Sequence, residues 1–261
     1  MSKKRAATLG QHFLNARWAA TLVAQSAGVA PGVTVLEIGP GTGNLTHELL
    51  ALGGKVIAVE KDSALIELLR LRFRDEIASG ALTVIGNDIR NVSPETLGLA
   101  AHEYVLSANI PYYITGDIIR TFLETNIQPK QMALLVQKEV AERIARSKKE
   151  SILSLSVKAY GTPKYVKTVS RSCFSPAPNV DSAILAITNI SRDFFSDISE
   201  EQFFKVLKAG FASKRKMLAG NLKKITPPAQ IEKAFQACGI KLKIRAEDVS
   251  LKAWGCLVRE L

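Results

Sequence analysis

Residues Val33–Thr46 read V-T-V-L-E-I-G-P-G-T-G-N-L-T and leave few folds open to the chain. Val33, Val35, Leu36 and Ile38 form a short, β-branched apolar run, the pattern of a strand buried on both faces of a parallel sheet. Gly39, Gly41 and Gly43 follow at alternate positions, removing the Cβ atoms that would keep a ligand off the backbone and permitting φ > 0. Asn44 to Leu52 then reads as a helix, with apolar Leu45, Leu49, Leu50 and Leu52. Strand, glycine loop and helix N-terminus together make a nucleotide cradle.

The spacing narrows the nucleotide. A dinucleotide fingerprint G-x-G-x-x-G counted from Gly39 needs its third glycine at position 44, where this chain has Asn44. The observed G-x-G-x-G, after the acidic Glu37, suits a ligand without a pyrophosphate, such as S-adenosylmethionine (SAM). Taken alone, the glycines also fit a tight structural turn.

Gly53-Gly54 lead into a second strand, Lys55 to Glu60. Glu60 lies about 20 residues beyond the glycines, where a carboxylate can accept both ribose hydroxyls in a doubly wound fold. Its alternative role is to cap the next helix with Asp62. A helix from Ser63 to about Ser79 precedes a third strand, Leu82 to Ile85, which ends at Gly86-Asn87-Asp88. Asp88 then stands within reach of an adenine amino group, or merely forms an Asx-turn.

The fourth strand, Tyr104 to Ala108, runs into Asn109-Ile110-Pro111-Tyr112. An exocyclic adenine amine is a poor nucleophile because its lone pair is delocalised into the ring. The Asn109 side-chain oxygen and the Ile110 carbonyl, stiffened by Pro111, can accept both amine hydrogens and turn the lone pair toward a methyl group. Tyr112 offers a face on which an extruded base can stack.

The alternation continues through a helix from Thr115, a strand at Met132 to Val136, and helices at Ala141 to Ala145 and Ile152 to Tyr160. Gly161-Thr162-Pro163 breaks it. Tyr165 to Val169 and Ser182 to Ile187 then read as an antiparallel pair. The loop between them, F-S-P-A-P-N-V-D, either presents Phe174 to a flipped base or packs that ring beneath itself. From Ser199 only helical patterns occur, with Ser191 to Ser199 as linker. At the other end, Gly10 to Asn15 precede a helix carrying Trp18, Leu22 and Val23, and serve either as a lead-in to it or as a lid over the glycine loop. The predicted architecture is α/β: a Rossmann-like sheet with helices on both faces over residues 1–190, and a small all-helical domain over 191–261.

With 261 residues and 47% hydrophobic content, the chain can bury a real core. No apolar run approaches the roughly 18 residues of a membrane span, and Lys3-Lys4-Arg5 does not lead into a signal-peptide core, so a cytoplasmic protein is expected. Cys173, Cys238 and Cys256 are odd in number and far apart, which argues against a disulfide framework and against zinc. With only His12, His47 and His102 as further soft ligands, no metal is expected. The formal charge is +11, and residues 191–261, with 14 Lys or Arg against 8 Asp or Glu, carry +6 of it. Lys214-Arg215-Lys216, Lys223-Lys224 and Lys241-x-Lys243-x-Arg245 could neutralise phosphates, or form an ordinary solvated basic surface.

These motifs together resemble the KsgA (RsmA) family of SAM-dependent rRNA adenine N6,N6-dimethyltransferases, with the Erm resistance methyltransferases as cousins. The resemblance runs through G-Q-H-F-L at Gly10 to Leu14, E-I-G-P-G-T-G from Glu37, Glu60, Asp88, N-I-P-Y from Asn109, Q-K-E-V-A-E-R from Gln137 and F-S-P-A-P-N-V-D from Phe174. It implies SAM contacts at Leu14, Gly39, Gly41, Glu60, Asp88 and Asn109. It also implies catalytic roles for Asn109, Ile110, Pro111, Tyr112 and Phe174, and RNA contacts at Lys214, Arg215, Lys216 and Lys223. The family pattern is G-Q-N-F-L, so His12 stands where an Asn usually meets SAM, and an imidazole can still make one such bond. G-F-A-S-K-R-K-M-L-A-G-N-L from Gly210 and I-R-A-E-D-V-S from Ile244 resemble KsgA more than Erm. The implied activity is dimethylation of adjacent adenines in the 3′-terminal hairpin of small-subunit (16S) rRNA on the assembling particle, by a monomer without membrane attachment. Rival readings are an Erm-like large-subunit enzyme and a non-catalytic assembly factor, the latter similar to mitochondrial transcription factor B proteins.

Overall fold

The computed structural model describes residues 12–261. Among the described residues the strands are β1 (Phe13–Leu14), β2 (Thr34–Ile38), β3 (Lys55–Glu60), β4 (Leu82–Gly86), β5 (Tyr104–Asn109), β6 (Gln131–Gln137), β7 (Thr162–Val169), β8 (Phe174–Ser175) and β9 (Ser182–Thr188). Seven of them form one sheet in the order β4-β3-β2-β5-β6-β9-β7, while β1 and β8 pair separately. β4 through β6 are parallel, and β9 runs antiparallel to β6 with Leu134 opposite Leu185.

Every residue of β2 after Thr34, and Tyr104–Ala108 of β5, is buried. Because successive side chains point to opposite faces, such strands need cover on both sides of the sheet. Part of that cover comes from α1 (Arg17–Ser26) and α2 (Asn44–Ala51), whose Ala19, Ala20, Val23, Leu45 and Leu49 join Val35, Val56 and Val105 in one apolar cluster.

Two expectations about elements change. The helix expected from Ser63 to Ser79 is two helices, α3 (Ser63–Arg72) and α4 (Arg74–Ala78). They part at Phe73, whose ring is buried and whose backbone leaves the helical region (φ −116°, ψ 37°). The strands at Tyr165 and Ser182 do end up as neighbours, but the loop between them contributes β8 as a partner for β1, with Leu14 opposite Phe174.

The chain divides into two compact units. One holds the described residues up to Ala141 together with Pro163–Ile190; the other holds Glu142–Thr162 together with Ser191–Leu261. Residues 142–162 therefore belong with the helical unit and not, as the 1–190 boundary expects, with the sheet. The reason is packing: α7 (Ile152–Tyr160), which follows α6 (Lys138–Ala145), sends Leu155 and Ala159 into a core with Phe203, Leu207, Leu222, Phe235, Trp254 and Leu257. The remaining helices of that unit are α8 (Glu200–Gly210), α9 (Leu218–Leu222), α10 (Pro228–Ala237) and α11 (Leu251–Glu260).

The reading of unpaired cysteines is overturned. Cys238, at the end of α10, and Cys256, within α11, are joined as a disulfide with their Cα atoms 5.7 Å apart. Cysteine counting missed it because 18 residues of chain separate the pair and only the packing of two helices brings them together. Cys173 is free. Among the described residues, no helix is long and apolar enough to cross a membrane, and no group of three or more His, Cys, Asp or Glu could hold a metal ion.

Candidate active site

The sheet unit carries a cleft of about 1030 Å³, open mouth included, at the C-terminal ends of its parallel strands. Its walls include His12, Leu14, Gly39, Gly41, Glu60, Asp88, Asn109, Ile110, Pro111 and Tyr112, so every cofactor residue expected from the sequence lies on one surface. Gly10 and Gln11 of the N-terminal motif lie outside the described residues.

The glycine loop is shaped by different needs at different positions. Gly39 has φ +65°, and a Cβ there would meet nothing within 4 Å, so a side chain would stand in the open cleft. Gly43 has φ +84°, and its Cβ would come within 2.4 Å of the Phe73 ring. The first glycine leaves space for a ligand, whereas the third lets the loop settle on the α3 side of the core. Phe13 closes over the loop, its ring 3.0 Å from where a Gly41 Cβ would be.

Glu60 crosses from the end of β3 to that loop. Its Oε2 accepts the Gly41 N–H at 3.2 Å, and its Oε1 accepts the N–H groups of Lys61 and Asp62 at 2.9 and 3.0 Å. The carboxyl is 4% exposed, and burial raises its pKa against the lowering effect of those three donors. Asp88 is the opposite case. Arg90 grips it with Nε at 3.0 Å and Nη2 at 2.6 Å and holds its pKa down at about 2. Asp88 also accepts the Arg90 backbone N–H, so the Asx-turn is real and coexists with its place on the cleft wall.

At the end of β5, Asn109 donates its Nδ2–H to the His12 carbonyl at 2.9 Å. That bond fixes the amide and leaves Oδ1 as its open end. The Ile110 carbonyl accepts no hydrogen bond from the described residues. Two acceptors on consecutive residues, held by Pro111 at φ −55°, therefore border the cleft. Tyr112 shares a hydrogen bond with Ser182 Oγ at 2.7 Å, and burial raises its pKa, keeping the phenol neutral. His12 stacks on Tyr112 with ring centroids 5.9 Å apart and donates Nδ1–H to the Pro176 carbonyl at 2.8 Å. The imidazole is thus committed to the loop after β8, with Nε2 its one remaining nitrogen.

Phe174 does not reach the cleft. It is 5% exposed and packs in the core with Val169 and Ile184, because pairing of β8 with β1 turns its ring inward. Of the two roles the loop allows Phe174, this structure shows the packed one. The cleft also holds Phe13, from the stretch read as a possible lid over the glycine loop, and two residues that sequence reasoning missed, Arg90 and the 61% exposed Tyr113. The doubled tyrosine after Pro111 was the available signal for Tyr113; nothing local marked Arg90. Asn44, noted only as a failed glycine, donates to the Leu14 carbonyl at 2.7 Å and accepts from Arg72, tying β1 to the start of α2.

Glu37 lies beneath the loop with no exposure, and among the described residues its oxygens have no partner of good hydrogen-bond geometry, only the nearby Thr46, which offsets little of the cost of burial. Burial pushes its pKa up to about 8. The folded state therefore holds a proton there that the unfolded chain releases near its ordinary value of 4.5. Between these values the native form binds more protons, so stability falls as pH rises, by up to about 1.4 kcal/mol per unit. Denaturation midpoints measured from pH 5 to 8 are expected to show this slope, and Glu37→Gln to flatten it.

A family model for ribosomal RNA adenine dimethylase matches residues 1–261. The chain belongs to that family. It is 40% identical to the ribosomal RNA small subunit methyltransferase A of Dehalococcoides mccartyi (strain CBDB1), over 97% of this chain and 87% of that one. With the protein of the same name from Clostridium acetobutylicum it shares 33% identity, over 97% and 92%. Among solved structures, a dimethyladenosine transferase from Plasmodium falciparum superposes with a TM-score of 0.78 at 26% identity, covering 94% of this chain and 96% of that one. The 23S rRNA methyltransferase ErmE gives the same TM-score at 24% identity, over 95% and 99%, and shares the fold.

As a SAM-dependent rRNA methyltransferase, the chain has residues that fit its methyl donor. Gly39 keeps open the space a Cβ would fill, and Glu60, immobilised by three N–H groups, stands at the strand end where ribose hydroxyls bind in this fold.

Proposed function

We propose that this protein transfers methyl groups to the N6 of adjacent adenines in the 3′-terminal hairpin of small-subunit (16S) rRNA, on the assembling subunit, acting in the cytoplasm as a monomer. Glu60 takes the ribose of SAM, Asp88 the adenine amino group, and Leu14, Gly39 and Gly41 the surrounding wall. SAM supplies the electrophilic methyl group. The observation that carries the reading is the Asn109 amide, oriented by the His12 carbonyl so that neither Oδ1 nor the adjacent Ile110 carbonyl accepts a hydrogen bond from the described residues. Each accepts one hydrogen of the target amine, and the lone pair is left pointing away from both. Tyr112, backed by His12 on one face and pinned by Ser182, offers its other face to the base. No general base is needed, because the amine loses a proton readily once it carries a fourth substituent.

The helical unit is proposed to dock the RNA. Lys214, Arg215, Lys216 and Lys223 are all exposed. The turn bearing the first three is held by buried Asn221, whose Nδ2 donates to the carbonyls of Gly210 and Ser213 at 2.6 and 3.0 Å. Charge reversal at Lys214, Arg215 and Lys216 is expected to lower the slope of log Kd against log salt by about 0.7–0.9 per lost phosphate contact. Filter binding to small subunits across a potassium chloride series reads it.

The deciding experiment is transfer from labelled SAM to under-methylated small subunits, with large-subunit precursors and free RNA in parallel, followed by nucleoside analysis. Dimethyladenosine confined to the small subunit is expected. Label in large-subunit RNA would overturn the substrate, and tight binding without label would overturn catalysis.

A further inference from the structure

A second cavity opens on the sheet unit, and Asn44, bonded to the Leu14 carbonyl, lines both it and the first. Asn15, Arg17, Asn44, His47, Glu48 and Arg72 line it. Glu48 is the one acid in this wall, and it is already used. Its Oε1 accepts from Arg17 Nε at 2.9 Å and from His47 Nδ1 at 3.0 Å, and its Oε2 accepts from the Thr21 hydroxyl at 2.7 Å. The carboxylate is 5% exposed, and burial would raise its pKa, but these partners together bring it below the ordinary value. It acts as a fixed anchor for its partners.

What the anchor leaves over is a set of donors. The Arg17 side chain is 77% exposed and binds Glu48 through Nε, so its two terminal nitrogens remain. His47, half exposed, keeps Nε2. Arg72 spends Nη1 on the Thr42 carbonyl and Asn44 Oδ1 and keeps Nη2. Arg17 and His47, held by the buried acid, and Arg72, held by Thr42 and Asn44, lose little freedom when an anion arrives, and guanidinium groups match the oxygens of a phosphate. The next residue of α1, Trp18, is 45% exposed and carries the Lys167 ammonium 5.1 Å over its ring, a further cation on the sheet unit. Several cations spread over one unit suit a polymer of phosphates better than a single free anion.

We propose that this cavity is a phosphate subsite for the backbone of the substrate RNA, with Arg17, His47 and Arg72 as its donors. The proposal rests on the RNA methyltransferase reading above, and places on the sheet unit an RNA contact additional to the basic turn of the helical unit.

The test compares wild type, Arg17→Gln, His47→Gln and the double variant for binding to under-methylated small subunits across a salt series. Methyl transfer and SAM affinity are measured on the same preparations. The double variant is expected to bind about tenfold more weakly near 0.1 M salt, with a slope lower by about 0.7–0.9 and an unchanged SAM Kd. Thr21→Val loosens the anchor without removing a cation, so it is expected to lower stability and leave the slope alone. An unchanged slope in a folded double variant would overturn the subsite. Independently of any variant, the His47 ring resonances of the wild-type protein are followed during titration with a single-stranded oligoribonucleotide and with inorganic phosphate. Movement with the oligonucleotide at micromolar concentration supports the RNA subsite; response to phosphate alone would make it a free-anion site and overturn the RNA assignment. Absence of transfer by the wild type would overturn the small-subunit substrate, while the His47 titration would still decide the subsite.

Discussion

Asn109→Ala is expected to lower kcat by about 10²-fold or more while leaving RNA binding near its normal strength. The amide contributes one acceptor to a nitrogen that becomes nucleophilic only as its hydrogens are drawn away, so its effect is felt in the transition state more than in the bound ground state. Single-turnover transfer under saturating RNA and SAM reads the chemical step directly. Asn109→Asp separates the two jobs of the side chain: it restores an acceptor but removes the Nδ2–H that the His12 carbonyl takes at 2.9 Å, so it is expected to recover little activity. A loss of RNA binding as large as the loss of turnover would instead mark Asn109 as a support for the segment around His12.

Glu60→Ala is the second large effect. It removes the proposed ribose acceptor and strands three N–H groups that now end on one carboxylate. A loss of about 2–3 kcal/mol in SAM binding is expected, a rise in Kd of roughly 30- to 150-fold. Calorimetric titration checks it. The pH dependence carries the same signature. Burial raises the Glu60 pKa, so this acceptor is protonated earlier on acidification than an ordinary glutamate, and SAM affinity is expected to fall on the acid side. Asp88, held at about 2 by Arg90, stays charged throughout that range. An unchanged SAM Kd in Glu60→Ala would reduce Glu60 to a brace for the Gly41 turn.

The parallel core of the sheet was legible because its signals are local. A β-branched run, glycines that tolerate φ > 0 and a following amphipathic helix specify strand, turn and helix without reference to the rest of the chain, and doubly wound connectivity then sets Glu60, Asp88 and Asn109 at neighbouring strand ends. The same locality explains the errors. Phe174 lies in a proline-stiffened loop that either reading fits, and its burial follows from pairing with Leu14, 160 positions earlier. Residues 142–162 continue the α/β alternation in sequence, yet Leu155 and Ala159 find their apolar partners among the C-terminal helices. Cys238 and Cys256 meet only across a helix pair.

By itself, then, the sequence determined the βαβ scaffold, the glycine cradle and the Asn-Ile-Pro-Tyr acceptor pair, since each depends on backbone conformations that a few adjacent residues dictate. The tertiary structure alone decided which end of the Asn109 amide is free, what His12 and Asn44 do, and that Glu48 holds Arg17 and His47 around a second cavity. Those outcomes depend on hydrogen bonds between segments distant in the chain. Their geometry exists only after the hydrophobic core has brought the segments together, so no local pattern encodes it.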